Sequence, residues 1–314
     1  LVLFKDNLLE SLNMNTTKRI ISEAVRRILL EKPLDDMPVN LSQVARDAKG
    51  AQARVKMGQQ DGDAEDDKIS VAGGKTFPVA KLKPSQSSMN IGKALAQALA
   101  MVAGDMPTGG DLGAFISSDG HIMDGHHRWV ATAMVDPSKE VGGFLVGMKG
   151  IPLIKILNAI TVGALGINKG KEGTGGFEQF QEGPIRKQLE AYLKDGIPGK
   201  FPKTAEWVQQ AIEKFSGQQG DAAKEATITR FLKNLGNLKF QVPSGAPERP
   251  DMPVIDPDKV KDALEIAVKA LSDGEVDWND PAAAEPDQAT AAANRKDDQF
   301  IPESLRSSWQ KLIK

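Results

Sequence analysis

The residues best suited to chemistry lie close together near the middle of the chain. All three histidines, His121, His126 and His127, fall within seven consecutive residues. Histidine exchanges a proton near neutral pH and is a frequent metal ligand, so this cluster indicates acid–base chemistry or ligand binding. Asp124 and Arg128 belong to the same stretch, whose sequence is Asp-Gly-His-His-Arg. The segment therefore combines a carboxylate, imidazoles and a guanidinium.

The local pattern places this segment where a strand turns into a helix. Two short strands are predicted at Ala114–Ser117 and His121–Met123, joined by a Ser-Asp-Gly turn, and a helix is predicted from His126 through Met134. A helix N-terminus offers unpaired N–H groups and partial positive charge, which suit a phosphate group. Gly125 allows close approach to the backbone, and Arg128 can form paired hydrogen bonds to phosphate oxygens. The turn is thus a candidate anion site.

Asp124 and His127 are the candidate catalytic residues. His127 could donate a hydrogen bond or act as a general acid or base. Asp124 could cap the helix, orient a histidine or help hold a magnesium ion. Successive helical residues point about 100° apart, so His126 and His127 are not expected to serve one ligand together.

Other motif assignments fit less well. A histidine zinc site is not expected, because no His-x3-His or His-Glu-x-x-His pattern exists. The acidic run 61–67 lacks the glycine and glutamate positions of an EF-hand. The stretch 165–172 is not a Walker A loop, because Leu165 and Glu172 stand where Gly and Ser or Thr are required. Lys169 and Lys171 could still reach an anion from a mobile lid, although a plain solvated connection is the alternative.

The composition is that of an ordinary globular protein, with 314 residues, 40% hydrophobic and 26% charged. The net charge of −2 creates no global attraction to DNA or membranes. Aromatic residues make up 5%, which disfavours a base-stacking groove for single-stranded nucleic acid. The absence of cysteine excludes disulfides and thiolate nucleophiles. No apolar run approaches the ~20 residues of a membrane span, and the start without Met is compatible with processing or trimming.

Five regions are predicted along the chain: a helical arm at 1–57, an acidic linker at 58–74, a compact α/β domain at 75–162, a helical region at 163–239, and a proline-rich arm, helix and acidic tail at 240–314. The expected elements beyond those above are helices at 16–32, 91–102, 152–161, 258–271 and 304–313, strands at 76–82 and 144–148, an extended segment at 240–257, and helical structure through 177–235.

The segment from Phe77 to about Ile160 resembles the ParB/sulfiredoxin superfamily, specifically its phage and prophage ParB-like members. The stretch 78–86, Pro-Val-Ala-Lys-Leu-Lys-Pro-Ser-Gln, is similar to the family's opening strand and loop. The stretch 122–131, Ile-Met-Asp-Gly-His-His-Arg-Trp-Val-Ala, is similar to the Asp-Gly-His-His-Arg-Trp signature of that group. The stretch 150–157 resembles the continuation into a strand and helix.

The resemblance implies an α/β (α+β) fold, with a small mixed sheet flanked by helices and, in this chain, a mostly helical C-terminal region. It implies a phosphate site at the Gly-x-x-Arg turn, formed here by Gly125, His126, His127 and Arg128. Ser85 and Gln86 match the first motif and are expected to line the pocket. Sulfinic-acid repair is not expected, because His126 stands where sulfiredoxin has its catalytic cysteine. The second arginine box and helix-turn-helix of partition proteins are not evident.

The leading hypothesis is a phage-type ParB-like protein that binds a nucleotide or phosphate, with nuclease, nucleotide hydrolase or phosphotransferase activity assisted by Mg²⁺. A nucleoside triphosphate is the expected ligand and nucleic acid an alternative. The second hypothesis is a non-enzymatic virion or packaging protein that contacts other phage proteins or itself. Sequence-specific DNA binding is a weaker third. The expected location is the host cytoplasm or the virion.

Overall fold

The computed structural model describes residues 37–57, 67–168, 170, 172–199, 202–255 and 263–276. The helices predicted at 16–32 and 304–313, Lys169 and Lys171, most of the acidic linker and the acidic tail lie outside the described residues. Within the described ranges, no helix has both the length and the apolar character needed to cross a bilayer.

A five-stranded mixed sheet forms the centre of the molecule, which confirms the predicted α/β class. Its strands are β1 Val71–Pro78, β2 Lys83–Pro84, β3 Gly110–Ser117, β4 His121–Ile122 and β5 Glu140–Val146. Their spatial order is β1-β5-β3-β4-β2. The β1–β5 and β3–β4 pairs are antiparallel, whereas β5–β3 and β4–β2 are parallel. The ParB/sulfiredoxin type of this sheet stays a prediction.

Helices cover both faces of the sheet. They are α1 Leu41–Arg46, α2 Ala48–Met57, α3 Ile91–Ala103, α4 His126–Val135, α5 Gly150–Ala159, α6 Glu182–Asp195, α7 Ala205–Ser216, α8 Gly220–Leu235 and α9 Ala263–Ser272. A π-helical turn, Ile160–Ala164, continues α5. The run α6 to α8 confirms the predicted helical C-terminal region. The segment predicted as extended at 240–257 has no helix or strand through 255, but it is interrupted by a turn at Ser244 and Gly245 and by a 3-10 turn at Arg249–Asp251.

Adjacent residues of β3 divide the core into two layers. Phe115 belongs to the core cluster that includes residues of α5 and α9, whereas Ile116 belongs to the cluster that includes residues of α3, α4 and the helices α6 to α8. Neighbouring strand residues point to opposite faces of a sheet, which accounts for this division. Trp129 of α4 is fully buried in the second layer, and its indole N–H donates to the carbonyl of Val79 at 2.9 Å. This layer fixes the position of α4.

Glycines explain why the predicted strand limits were wrong. The strand expected at 76–82 runs instead at Val71–Pro78, with an irregularity between Ala72 and Lys75, and a 3-10 turn follows it. The strand expected at 144–148 runs at Glu140–Val146. Consecutive glycines weaken the strand signal in both segments. Gly142 is required by close backbone approach, since a Cβ there would lie 1.7 Å from the carbonyl oxygen of Lys75.

Candidate functional site

The turn that begins α4 is built around Gly125. Gly125 is the N-cap residue, with φ 87° and ψ 9°, a left-handed conformation that favours glycine. A Cβ at this position would lie 3.4 Å from the Cβ of Ala114, so the strain comes mainly from the backbone angle. Leu112 and Ala114 of β3 form the wall beside the turn.

The expectation that Asp124 caps α4 was wrong. An N-cap side chain must belong to the N-cap residue itself, and the left-handed turn moves that position to Gly125, which has no side chain. Asp124 is exposed, and its Oδ1 accepts a hydrogen bond from the N–H of Gly125 at 2.7 Å. The first turn of α4 therefore has no side-chain cap, as an anion site requires.

His126 joins the two sequence motifs. Its Nε2 accepts a hydrogen bond from the backbone N–H of Ser85 at 3.1 Å. The hydroxyl of Ser85 donates to the carbonyl of Ile122 at 2.5 Å. Burial lowers the pKa of His126 to about 3, and the positive charges of Arg249 and His121 act in the same direction. The ring is therefore neutral, carries its proton on Nδ1, and holds the loop after β2 against the start of α4.

His127 has a different partner, as the helical period predicts. Its Nε2 accepts a hydrogen bond from the backbone N–H of Asn90 at 3.2 Å. Asn90 is the N-cap of α3, where its side chain accepts from the N–H of Lys93 at 2.8 Å. The ring of His127 thus connects the N-terminal ends of α3 and α4. Proton transfer through Nε2 would compete with this hydrogen bond.

A pocket of about 290 Å³, here called the corner pocket, opens in front of the first turn of α4. The predicted site residues that line it are Gln86, Asp124, Gly125, His126, His127 and Arg128. Ser85 is fully buried and lies behind His126 instead. The Gln86 side chain is held by a hydrogen bond from Nε2 to the carbonyl of Ser88 at 2.8 Å. The structure therefore brings together nearly all the residues selected from the sequence.

Arg128 has few internal partners. Its Nη1 donates a long hydrogen bond, 3.4 Å, to the carbonyl of Leu112. Its Nε is buried and has no hydrogen-bond partner among the described residues. An unsatisfied buried N–H group is costly, so a ligand that accepts from Arg128 would gain free energy.

Arg249 is a site residue that the sequence interpretation missed. It belongs to the segment 240–255, here called the extended arm, and lines the corner pocket. Burial lowers its pKa, and the charge of Asp124 opposes that effect. Its Nη1 donates to the carbonyl of Glu172. The available signal was that Arg249 is the one basic residue of the arm, but no local spacing linked it to α4.

The corner pocket has an excess of positive charge. Three cationic side chains, Lys93, Arg128 and Arg249, line it, and Asp124 is the one carboxylate among its described lining residues. Apolar side chains form much of the remaining wall: Leu112, Met123, Met252, Pro253, Val254 and Ile255. The pocket therefore suits an anionic ligand with an apolar or planar body.

A stand-alone metal centre does not fit these residues. In the part of the chain that the structure describes, no group of three or more His, Cys, Asp or Glu side chains could hold a metal ion. Magnesium often binds through one or two carboxylates together with substrate phosphates. Asp124 is the one carboxylate that this pocket offers among the described residues, so a magnesium ion would depend on the ligand for its remaining contacts.

Comparison with known proteins adds no family assignment. No protein-family model, curated protein or solved structure matches the chain.

Proposed function

We propose that the protein binds a phosphate-bearing ligand, specifically a nucleotide, in the corner pocket. The observation that carries this proposal is the convergence of the uncapped start of α4 with the cationic side chains Lys93, Arg128 and Arg249. Helix N-termini attract anions through their N–H groups and dipole, and guanidinium groups form charge-assisted hydrogen bonds with phosphate oxygens. The resemblance to the ParB/sulfiredoxin superfamily supports the same ligand class.

The size and walls of the corner pocket favour a mononucleotide-sized ligand. Its volume of about 290 Å³ is at the lower end of the roughly 300–1,000 Å³ typical of small-molecule pockets. The apolar side chains of Leu112, Met123 and Met252 offer contacts for a base or sugar. In this arrangement Arg128 and the first turn of α4 hold the phosphate, while Gly125 permits its close approach to the backbone.

The geometry of the corner pocket supports ligand binding more strongly than it supports catalysis. Asp124 and His127 remain the candidate catalytic residues for hydrolysis or phosphoryl transfer. However, the Nε2 atoms of His126 and His127 both accept backbone hydrogen bonds, so both rings serve the fold. This observation favours the second candidate function, a non-enzymatic protein, such as a virion or packaging component, that retains the binding pocket. Product formation from nucleotides, measured with and without MgCl₂, separates the two functions.

Isothermal titration calorimetry tests the binding proposal. The full chain is titrated with inorganic phosphate and with the ribonucleoside mono-, di- and triphosphates, with and without MgCl₂. We expect binding of at least one nucleotide, and we expect Arg128→Gln to weaken it about 10- to 100-fold, because a hydrogen bond to a charged group contributes about 1.5–3 kcal/mol. Affinity should also decrease as salt is added.

Lys233→Gln is the matched control, because it removes one positive charge from an exposed position in α8. The neighbouring Asn234 donates to the carbonyl of Met134, which lies at the C-terminal end of α4, opposite the corner pocket. This variant should bind like the wild type. The proposal fails if the wild type binds none of these compounds, or if Arg128→Gln and Lys233→Gln bind equally well.

A further inference from the structure

The extended arm is attached to the domain on the N-terminal side of Arg249. The carbonyl of Pro247 accepts from the backbone N–H of Ser87 at 2.8 Å and from its hydroxyl at 3.2 Å. The backbone N–H of Arg249 donates to the hydroxyl of Ser88 at 2.9 Å. These contacts dock the arm on the loop between β2 and α3, the same loop that contacts the ring of His126 through Ser85.

The arm is also attached on the C-terminal side of Arg249. The carboxylate of Asp251 accepts from the N–H of Ser42 at 3.1 Å, and its carbonyl accepts from the side chain of Asn158, also at 3.1 Å. Met252, Val254 and Ile255 are buried. The backbone on both sides therefore directs the Arg249 side chain toward the corner pocket.

The guanidinium of Arg249 is only partly satisfied by these contacts. Its Nη1 donates to the carbonyl of Glu172, and Asp124 supplies the compensating charge across the pocket. Among the described residues it forms no carboxylate salt bridge, although it is half-buried. Arg128 faces the same pocket from α4 with an unpartnered Nε. Two guanidinium groups from separate parts of the chain thus line one pocket, and an anion bound there would attract both.

We propose that Arg249 is a second anion-binding residue of the corner pocket, and that the bound anion ties the extended arm to the start of α4. This inference rests on the proposed function and adds to it the coupling of ligand and arm. Such coupling is reciprocal: a ligand that stabilises the docked arm binds more tightly because the arm is docked. When Arg249 is replaced, Arg128 would still hold the ligand, but ligand binding would no longer stabilise the docked arm.

Calorimetry and hydrogen exchange measured by mass spectrometry test this coupling on the full chain. The probes are inorganic phosphate and the four ribonucleoside monophosphates. In the wild type, a saturating probe should slow amide exchange in peptides from 244–252 and in peptides that contain the start of α4. In Arg249→Gln, affinity should decrease about tenfold. At saturation, α4 should still be protected but 244–252 should not.

Lys239→Gln is the matched control, because it removes an exposed positive charge immediately before the arm, and it should behave like the wild type. Arg249→Lys keeps the charge without the paired donors, so its affinity should lie between those of wild type and Arg249→Gln. This variant also tests the inference if Arg249→Gln does not fold.

The outcomes separate the two proposals. If Arg128→Gln loses affinity while Arg249→Gln and Arg249→Lys bind like Lys239→Gln, the role of Arg249 is overturned and the binding site stands. If the saturated wild type shows no slower exchange in 244–252, the coupling is overturned in the same way. If the wild type binds no probe in this set or in the wider nucleotide panel, both proposals are overturned.

Discussion

The neutral ring of His126 should make the stability of the protein fall as pH falls through a defined range. Folding lowers the pKa of this side chain from 6.5 to about 3, chiefly because the ring is buried. Between these two values the unfolded chain binds a proton that the folded protein does not. The unfolding free energy should therefore decrease by about 1.4 kcal/mol for each pH unit within that range. The stabilising contribution is fully present above pH 6.5.

The size of the effect can be worked out for an accessible pH interval. Between pH 6.5 and 4.5 the difference in protonation of His126 contributes about 2 kcal/mol, since the unfolded state is only half-protonated at the upper limit. This is a substantial part of the ~5–15 kcal/mol that stabilises a typical protein. Protonation also removes the Nε2 lone pair that accepts from Ser85. The loss of this hydrogen bond is therefore already included in the free energy obtained from the pKa shift and is not added to it.

Urea unfolding at several pH values, for the wild type and His126→Gln, tests this calculation. Glutamine can offer an oxygen to the N–H of Ser85 and does not titrate. We expect the variant to be the less stable protein at pH 7.5, and to regain about 2.7 kcal/mol relative to wild type by pH 4.5, of which about 2 kcal/mol comes below pH 6.5. Lys233→Gln keeps all three histidines and should follow the wild type. Parallel pH profiles for wild type and His126→Gln would show that His126 does not cause the loss of stability at low pH.

Two further substitutions test the backbone turn and a buried carboxyl group. Gly125→Ala should cost about 1–2 kcal/mol in thermal or urea unfolding, because its φ of 87° is unfavourable for alanine; Gly236→Ala, at φ −58°, should cause no loss. Burial raises the pKa of Glu275 to about 7, against the opposing charge of Lys269, so its stabilising contribution is complete below about pH 4.5 and lost as pH rises through 7. Glu275→Gln should therefore be more stable than wild type by about 1–2 kcal/mol at pH 8, after allowance for solvent screening, with little gain at pH 4. An equal change at both pH values would contradict this assignment.

Local signals were sufficient for the helices that carry the site. The predicted helix 91–102 agrees with α3 except for one residue at its end. The limits of α3 are well defined locally, because Asn90 caps its start and Gly104 ends it in a left-handed conformation. The helix predicted from His126 through Met134 likewise agrees with α4 to one residue. The strands were less predictable, since glycines that the sheet requires for close approach conceal the strand pattern.

The order of the amino acids is enough to predict the mixed α/β class, the helix that begins at His126, and the set of polar residues gathered there. The contacts that these residues make depend on the packing of the whole chain. It made Gly125 the N-cap in place of Asp124, paired His126 with Ser85, and brought Arg249 to the corner pocket. Capping and periodicity act within one turn, whereas the contacts of Arg249 with Ser88 and Glu172 join residues separated by 161 and 77 positions. Such contacts form only when the layers of the fold pack together, and no local spacing encodes them.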